Sequence, residues 1–154
     1  MRRGLLTCLR LGASLLIAGL GAGAAEAASC SVDDASLSLG TLDPPTGSLA
    51  PSAGIISVTC SLGASYAVGL DNGLHALGSA RRLKRSASSD YLTYQLYKDV
   101  LMSQRFGDQV ASERVSGLGA GLGATPVAVY GAAPAGQTAP SGTYGDSVRI
   151  TVYF

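Results

Sequence analysis

Apolar and polar residues alternate with a period of two over several short stretches of this chain, and turn-forming residues separate the stretches. The clearest stretch is residues 90–99, DYLTYQLYKD. There Tyr91, Thr93, Gln95 and Tyr97 oppose Leu92, Tyr94 and Leu96, which predicts a β-strand. The last eight residues, SVRITVYF, repeat the pattern. Val148, Ile150, Val152 and Phe154 form an apolar face, and Ser147, Arg149, Thr151 and Tyr153 form the other. Residues 54–61 (GIISVTCS) are rich in β-branched side chains, with Ile56, Val58 and Cys60 on one face. Residues 65–70 and 125–131 read as further strands, the latter with Pro126 near its start. Residues 109–115 give a weaker one, and residues 30–39 short extended pieces.

Turn chemistry fills the intervals. Pro44, Pro45, Gly47 and Pro51 mark a loop over residues 43–52, because proline fixes φ and removes a donor. Asp71-Asn72-Gly73 predicts a tight turn, after which residues 74–77 would pair back on residues 65–70. Residues 98–105 could hold a short helical turn. Residues 116–124 (SGLGAGLGA) read as a loop whose glycine spacing is not that of a phosphate-binding G-x-G-x-x-G. Residues 133–142 read as a Pro/Gly-rich loop. Six to eight short strands with turns between them predict an all-β sandwich.

One stretch breaks the alternation with charge. Arg81, Arg82, Lys84 and Arg85 crowd into SARRLKRSASSD. A solvated loop or a charge-protected edge strand is the expected reading. A loop that contacts a surface or glycan is the functional alternative. The strand tyrosines could likewise line a carbohydrate site, although packing on a half-exposed strand is the default for them.

The N-terminus has a different character. Arg2 and Arg3 open it, residues 11–25 are apolar, and Ala25-Glu26-Ala27 supplies a small-x-small cleavage pattern. This predicts a secretory signal peptide over residues 1–27 and a mature domain over residues 28–154. Taking away Arg2, Arg3, Arg10 and Glu26 turns the eleven basic and ten acidic residues into eight and nine, a formal charge of −1. Such a balance points neither to nucleic acid nor to an anionic membrane, and no membrane span is expected in the mature chain. Cys8 would leave with the signal. Cys30 and Cys60 remain, and an exported chain with two cysteines predicts a disulfide. On the loop-entropy model it would contribute roughly 3–4 kcal/mol. A metal site is the alternative, but two cysteines and a single histidine in the whole chain supply too few ligands.

Catalytic chemistry is not expected. No G-x-S-x-G occurs, and His75 stands alone beside the predicted turn. Asp33, Asp34, Asp43, Asp71, Asp90, Asp99, Asp108, Glu113 and Asp146 are scattered over strand ends and turns, where carboxylates usually cap the backbone. A carboxylate pair brought together by the fold is what a secreted enzyme would require. No cofactor is implied.

Taken in order, a set of short motifs resembles one family. They are Ala28-Ser29-Cys30-Ser31-Val32, Ile56-Ser57-Val58-Thr59-Cys60, Tyr66-Ala67-Val68-Gly69-Leu70, Leu92-Thr93-Tyr94-Gln95-Leu96-Tyr97-Lys98-Asp99 and Phe106-Gly107-Asp108. Pro134-Ala135-Gly136-Gln137 and Gly142-Thr143-Tyr144-Gly145-Asp146-Ser147-Val148 follow. The chain is similar to the spore coat protein U domain, which also forms the subunits of archaic chaperone–usher pili. Phe106 stands where that family usually has tryptophan.

The resemblance implies an incomplete immunoglobulin-like sandwich lacking its last strand. It implies a periplasmic chaperone that lends a strand, an outer-membrane usher, and neighbouring pilus or coat subunits as partners. The place of the protein would be the cell surface or the extracellular pilus, after transit through the periplasm. In that scheme Val148, Ile150, Val152 and Phe154 would face the core along a strand-accepting edge. Only Ala28 and Ser29 precede Cys30 after the expected cleavage, too few for a donor strand of about ten residues. The expectation is therefore a non-catalytic strand-accepting or tip subunit, with adhesion and biofilm as its setting. An adhesin-type module for a glycan or surface is the alternative.

Overall fold

The computed structural model describes residues 27–38 and 52–154. Residues 1–26 of the expected signal peptide, the loop at residues 43–51 and Leu39 lie outside the described residues. Nine strands follow in order: β1 (Cys30–Val32), β2 (Ser52–Cys60), β3 (Ser65–Leu70), β4 (Arg81–Arg85), β5 (Tyr91–Tyr97), β6 (Val115–Leu118), β7 (Thr125–Ala132), β8 (Tyr144–Gly145) and β9 (Ile150–Tyr153). A single 3₁₀ turn, Ala111–Glu113, precedes β6.

Two antiparallel sheets face each other. The larger has the order β1-β2-β7-β5-β4-β8 and the smaller β6-β3-β9. Their inner faces come from the predicted alternation. Ile56, Val58 and Cys60 of β2, Leu92, Tyr94 and Leu96 of β5, and Val127 and Val129 of β7 are buried. Tyr66, Val68 and Leu70 of β3 meet them from the small sheet. Burial of each such side chain contributes roughly 1.5–3 kcal/mol. Phe106 is fully buried among them.

Several elements differ from expectation. Residues 109–114 form no strand: a 3₁₀ turn occupies Ala111–Glu113, and the strand begins at Val115 and takes in the first three residues of the supposed glycine loop. Gly117 explains this. A Cβ there would lie 2.5 Å from the Tyr66 hydroxyl, so β6 can pair with β3 over that ring only without a side chain. Residues 74–77 do not pair back on β3, whose two neighbours are β6 and β9. The turn itself is present. The Asp71 carboxylate accepts from Gly73 N at 2.8 Å, and Gly73 takes a φ of 85°, but the chain then leaves the sheet. Of the two readings of the basic stretch, loop or strand, the strand is the one found. It is β4, paired with β5 along one edge and with β8 at Lys84 and Arg85.

Candidate strand-acceptor groove

β9 pairs with β3 through Leu70–Ile150, Gly69–Thr151, Val68–Val152 and Ala67–Tyr153. It is the last strand of its sheet, and among the described residues no strand pairs with its other edge. Beside it a groove of about 710 Å³ opens between the sheets. Val148 and Ile150 line it together with residues 142–146 and residues 35–38. Ile56, Leu83, Leu92, Leu96 and Val129 give it an apolar floor.

The segment after β1 reaches this groove because it is fixed at two points. Cys30 and Cys60 face each other in the β1–β2 register and form a disulfide, with S–S at 1.99 Å. Asp33 N then donates to Ser57 O at 3.1 Å. Farther along, Leu37 rests over Gly54, where a Cβ would stand 3.3 Å from Leu37 Cδ1. The sequence motifs carried no signal for this lining.

Of the residues expected on the accepting edge, Val148, Ile150 and Val152 pack against the core. Phe154 does not. It is 63% exposed and lies beyond the last ladder pair, so no sheet bond aims its ring inward.

The chain leading into β9 is anchored by two carboxylates. Asp71 accepts from Arg149 N at 2.9 Å, and Asp71 N donates to Arg149 O at 3.1 Å. Asp146 accepts from His75 N at 3.1 Å and from the Tyr94 hydroxyl at 2.9 Å. Burial raises the Tyr94 pKa, and the charge of Asp146 and the bond to it raise it further. The His75 ring sits at the edge of the Tyr91 ring, 6.3 Å between centroids, and the residue meets the Asp146 carboxylate through its main-chain N. Among the described residues no group of three or more His, Cys, Asp or Glu is placed to hold a metal ion. Among them no helix is long and apolar enough to cross a membrane.

The basic cluster divides. Arg81 was expected at a surface and is 0% exposed. It pairs opposite Tyr94, so its side chain enters the sandwich. Its guanidinium donates to Leu70 O (2.8 Å), Asp71 O (2.6 and 2.9 Å), Phe106 O (2.8 Å) and Gln95 Oε1 (2.7 Å). Burial lowers its pKa, and the ring of acceptors offsets the desolvation of the charge. Arg85 pairs with Asp90 at 3.2 Å. Arg82 lies 4.3 Å over the Tyr91 ring and donates to His75 O. Lys84 shares the outer face with Arg82.

Two sheets thus flank a groove beside an edge strand that, among the described residues, pairs on one side only. The spore coat protein U domain matches residues 16–151. The chain belongs to the spore coat protein U domain family. A member of similar sequence is Protein U of Myxococcus xanthus, 42% identical over 107 residues, which are 66% of this chain and 59% of that protein. Among solved structures, the fold is similar to a chain of the CsuC–CsuE chaperone–tip adhesion subunit pre-assembly complex from archaic chaperone-usher Csu pili of Acinetobacter baumannii. The TM-score is 0.62 at 26% identity, covering 83% of this chain and 40% of that one. This chain thus spans under two thirds of the length of either relative. With this likeness the two-sheet sandwich is identified as immunoglobulin-like.

Proposed function

We propose that this protein is an exported, non-catalytic structural subunit of a chaperone–usher pilus or surface coat, completed by a β-strand from another chain. The observation that carries the reading is β9, which among the described residues pairs on one side only and is bordered by the groove. An uncovered strand edge next to exposed apolar surface is prone to aggregate. An added strand supplies main-chain hydrogen bonds along β9 and fills the groove with alternate side chains. Val148, Ile150 and Val152 form the accepting edge. A periplasmic chaperone, an outer-membrane usher and neighbouring subunits are the partners this implies. Export by a signal peptide over residues 1–27 and a final place at the cell surface complete the proposal. A tip position, with a role in adhesion, is its finer form and is favoured by the likeness to a chain of a chaperone–tip adhesion subunit complex.

Co-expression tests it. With a cognate archaic chaperone the exported chain accumulates as a soluble one-to-one complex, and without it the chain aggregates or is degraded. An equal yield of cooperatively folded monomer without chaperone would contradict the reading.

A further inference from the structure

Asp146 continues the inward face of β9 beyond the strand itself. Residues 144, 146, 148 and 150 are half-buried, and residues 145, 147 and 149 between them are exposed. Asp146 thus lines the groove in line with Val148 and Ile150. The main chain runs on in the same register. Arg149 turns its N to the Asp71 carboxylate and its O to Asp71 N, and Ser147 O accepts from Leu74 N at 2.9 Å. Backbone groups alternate in direction along a strand, so the N–H and C=O of Val148 and Ile150 turn to the open edge. A strand added there would set its own inward side chains opposite Ile150, Val148 and Asp146 in turn.

The Asp146 carboxylate meets two neutral donors, His75 N and the Tyr94 hydroxyl. An ionised carboxylate offers about four acceptor sites, so capacity remains. No counter-ion reaches it from the described residues, which hold all eight basic residues of the span 28–154. Arg85 pairs with Asp90, Arg105 with Glu113 and Arg114 with Asp108. Arg81 enters the sandwich too, but its guanidinium is turned to Leu70 O, Asp71 O, Phe106 O and Gln95 Oε1. While the groove is open, water solvates the charge. A wholly apolar strand would expel that water and leave the carboxylate buried without a cation, which is costly. A lysine or arginine opposite Asp146 supplies the counter-charge as the water leaves.

Every strand pair in the two sheets is antiparallel. We propose that Asp146 selects the strand that fills the groove. That strand runs antiparallel to β9, places apolar side chains opposite Val152, Ile150 and Val148, and carries a lysine or arginine two residues after the last of them, opposite Asp146. The proposal rests on the reading of β9 as a strand acceptor and adds the chemistry of the strand it takes.

Strands fused after Phe154 through a tight turn test it, because each fusion is complemented within its own chain. Three fusions share the apolar positions and differ only opposite Asp146, with Lys, Leu or Glu there. Thermal melting should place the Lys fusion highest, about 5 °C or more above the Glu fusion, with the Leu fusion between them. Asp146→Asn should abolish that order. In the unaltered domain, a lysine moved two residues back, opposite Val148, should lose the gain. A Leu or Glu fusion as stable as the Lys fusion, with all three above the bare chain, overturns the proposal and leaves strand acceptance intact. An order that survives in Asp146→Asn, or a gain that survives the move to Val148, overturns it as well. Three fusions that melt no higher than the bare chain overturn both the proposal and strand acceptance.

Discussion

The Tyr153 hydroxyl donates to the Asp108 carboxylate, 2.8 and 3.0 Å from its two oxygens. Arg114 closes the cluster: its Nε donates to Asp108 Oδ1 at 2.7 Å, and its guanidinium lies 3.9 Å over the Tyr153 ring. Gly69 makes room for Asp108 on the neighbouring strand, where a Cβ would meet the carboxylate. A strand with a single ladder neighbour is thereby tied on its outer face to the loop before β6. This tie holds β9 extended beside the groove.

Tyr153→Phe should therefore loosen β9 without unfolding the domain. Hydrogen exchange at Val152 and Tyr153 should speed up several-fold, while exchange in β2 and β7 stays unchanged. Uniform acceleration throughout the sheets would mean that the tie serves global stability instead.

Arg81 makes a different prediction. Its guanidinium satisfies the carbonyls of Leu70, Asp71 and Phe106 from inside the sandwich. Arg81→Met fits the apolar surroundings but leaves those acceptors unpaired, at a cost of roughly 3 kcal/mol or more. Arg81→Lys keeps the charge but lacks the planar fork that reaches four partners, and should recover only part of the loss. Urea denaturation of the complemented protein measures both. A wild-type midpoint in Arg81→Met would show that these bonds contribute nothing net.

The contrast between β5 and β4 shows what was legible in the sequence. Leu92, Tyr94 and Leu96 are buried as their spacing predicts, because β5 lies inside a sheet with one face on the core. For β4 the charges left a loop and an edge strand both open, and the burial of Arg81 was not visible. The sequence pattern does not reveal that backbone carbonyls at the end of β3 and at Phe106 converge on Arg81. Pairing is non-local in the same way. β3 takes its partners from residues 115–118 and 150–153, which residue periodicity cannot specify. The groove was legible in part. The apolar face of the final strand was visible, whereas the lining by residues 35–38 and the outward turn of Phe154 depend on tertiary contacts.

Gln137 acts in place of a strand. β7 pairs with β5 only from Gln95 to Tyr97, and at Thr93 the Gln137 side chain takes over. It accepts from Thr93 N at 2.6 Å and donates to Thr93 O at 2.8 Å. Gln137→Ala should cost about 1–2 kcal/mol through the two lost bonds to Thr93 and a third to Pro134 O. Gln137→Glu can still accept from Thr93 N but faces Thr93 O with a second acceptor, so it should destabilise comparably at neutral pH. Thermal melts of the two variants decide this, and a neutral Gln137→Glu would contradict it.

Tyr94 sets a limit at high pH. Burial, then the charge of Asp146 and the bond to it, raise its pKa in the folded state. Its contribution is complete below the unfolded tyrosine value of about 10 and is lost as pH rises beyond it. Denaturation from neutral pH to about 11 should show stability falling at the alkaline end, with a shallower fall in Tyr94→Phe. Identical slopes in the two proteins would exclude Tyr94 as the source.

The central claim is that β9 presents an edge awaiting a strand. Its most direct test is the thermal midpoint of the chain against the same chain with an alternating apolar strand fused after Phe154 through a turn. A polar strand of equal length serves as control. The account predicts a midpoint raised by more than about 10 °C with the apolar strand, and no change with the polar one. A bare chain that already melts cooperatively, at the same temperature as the apolar fusion, would contradict it.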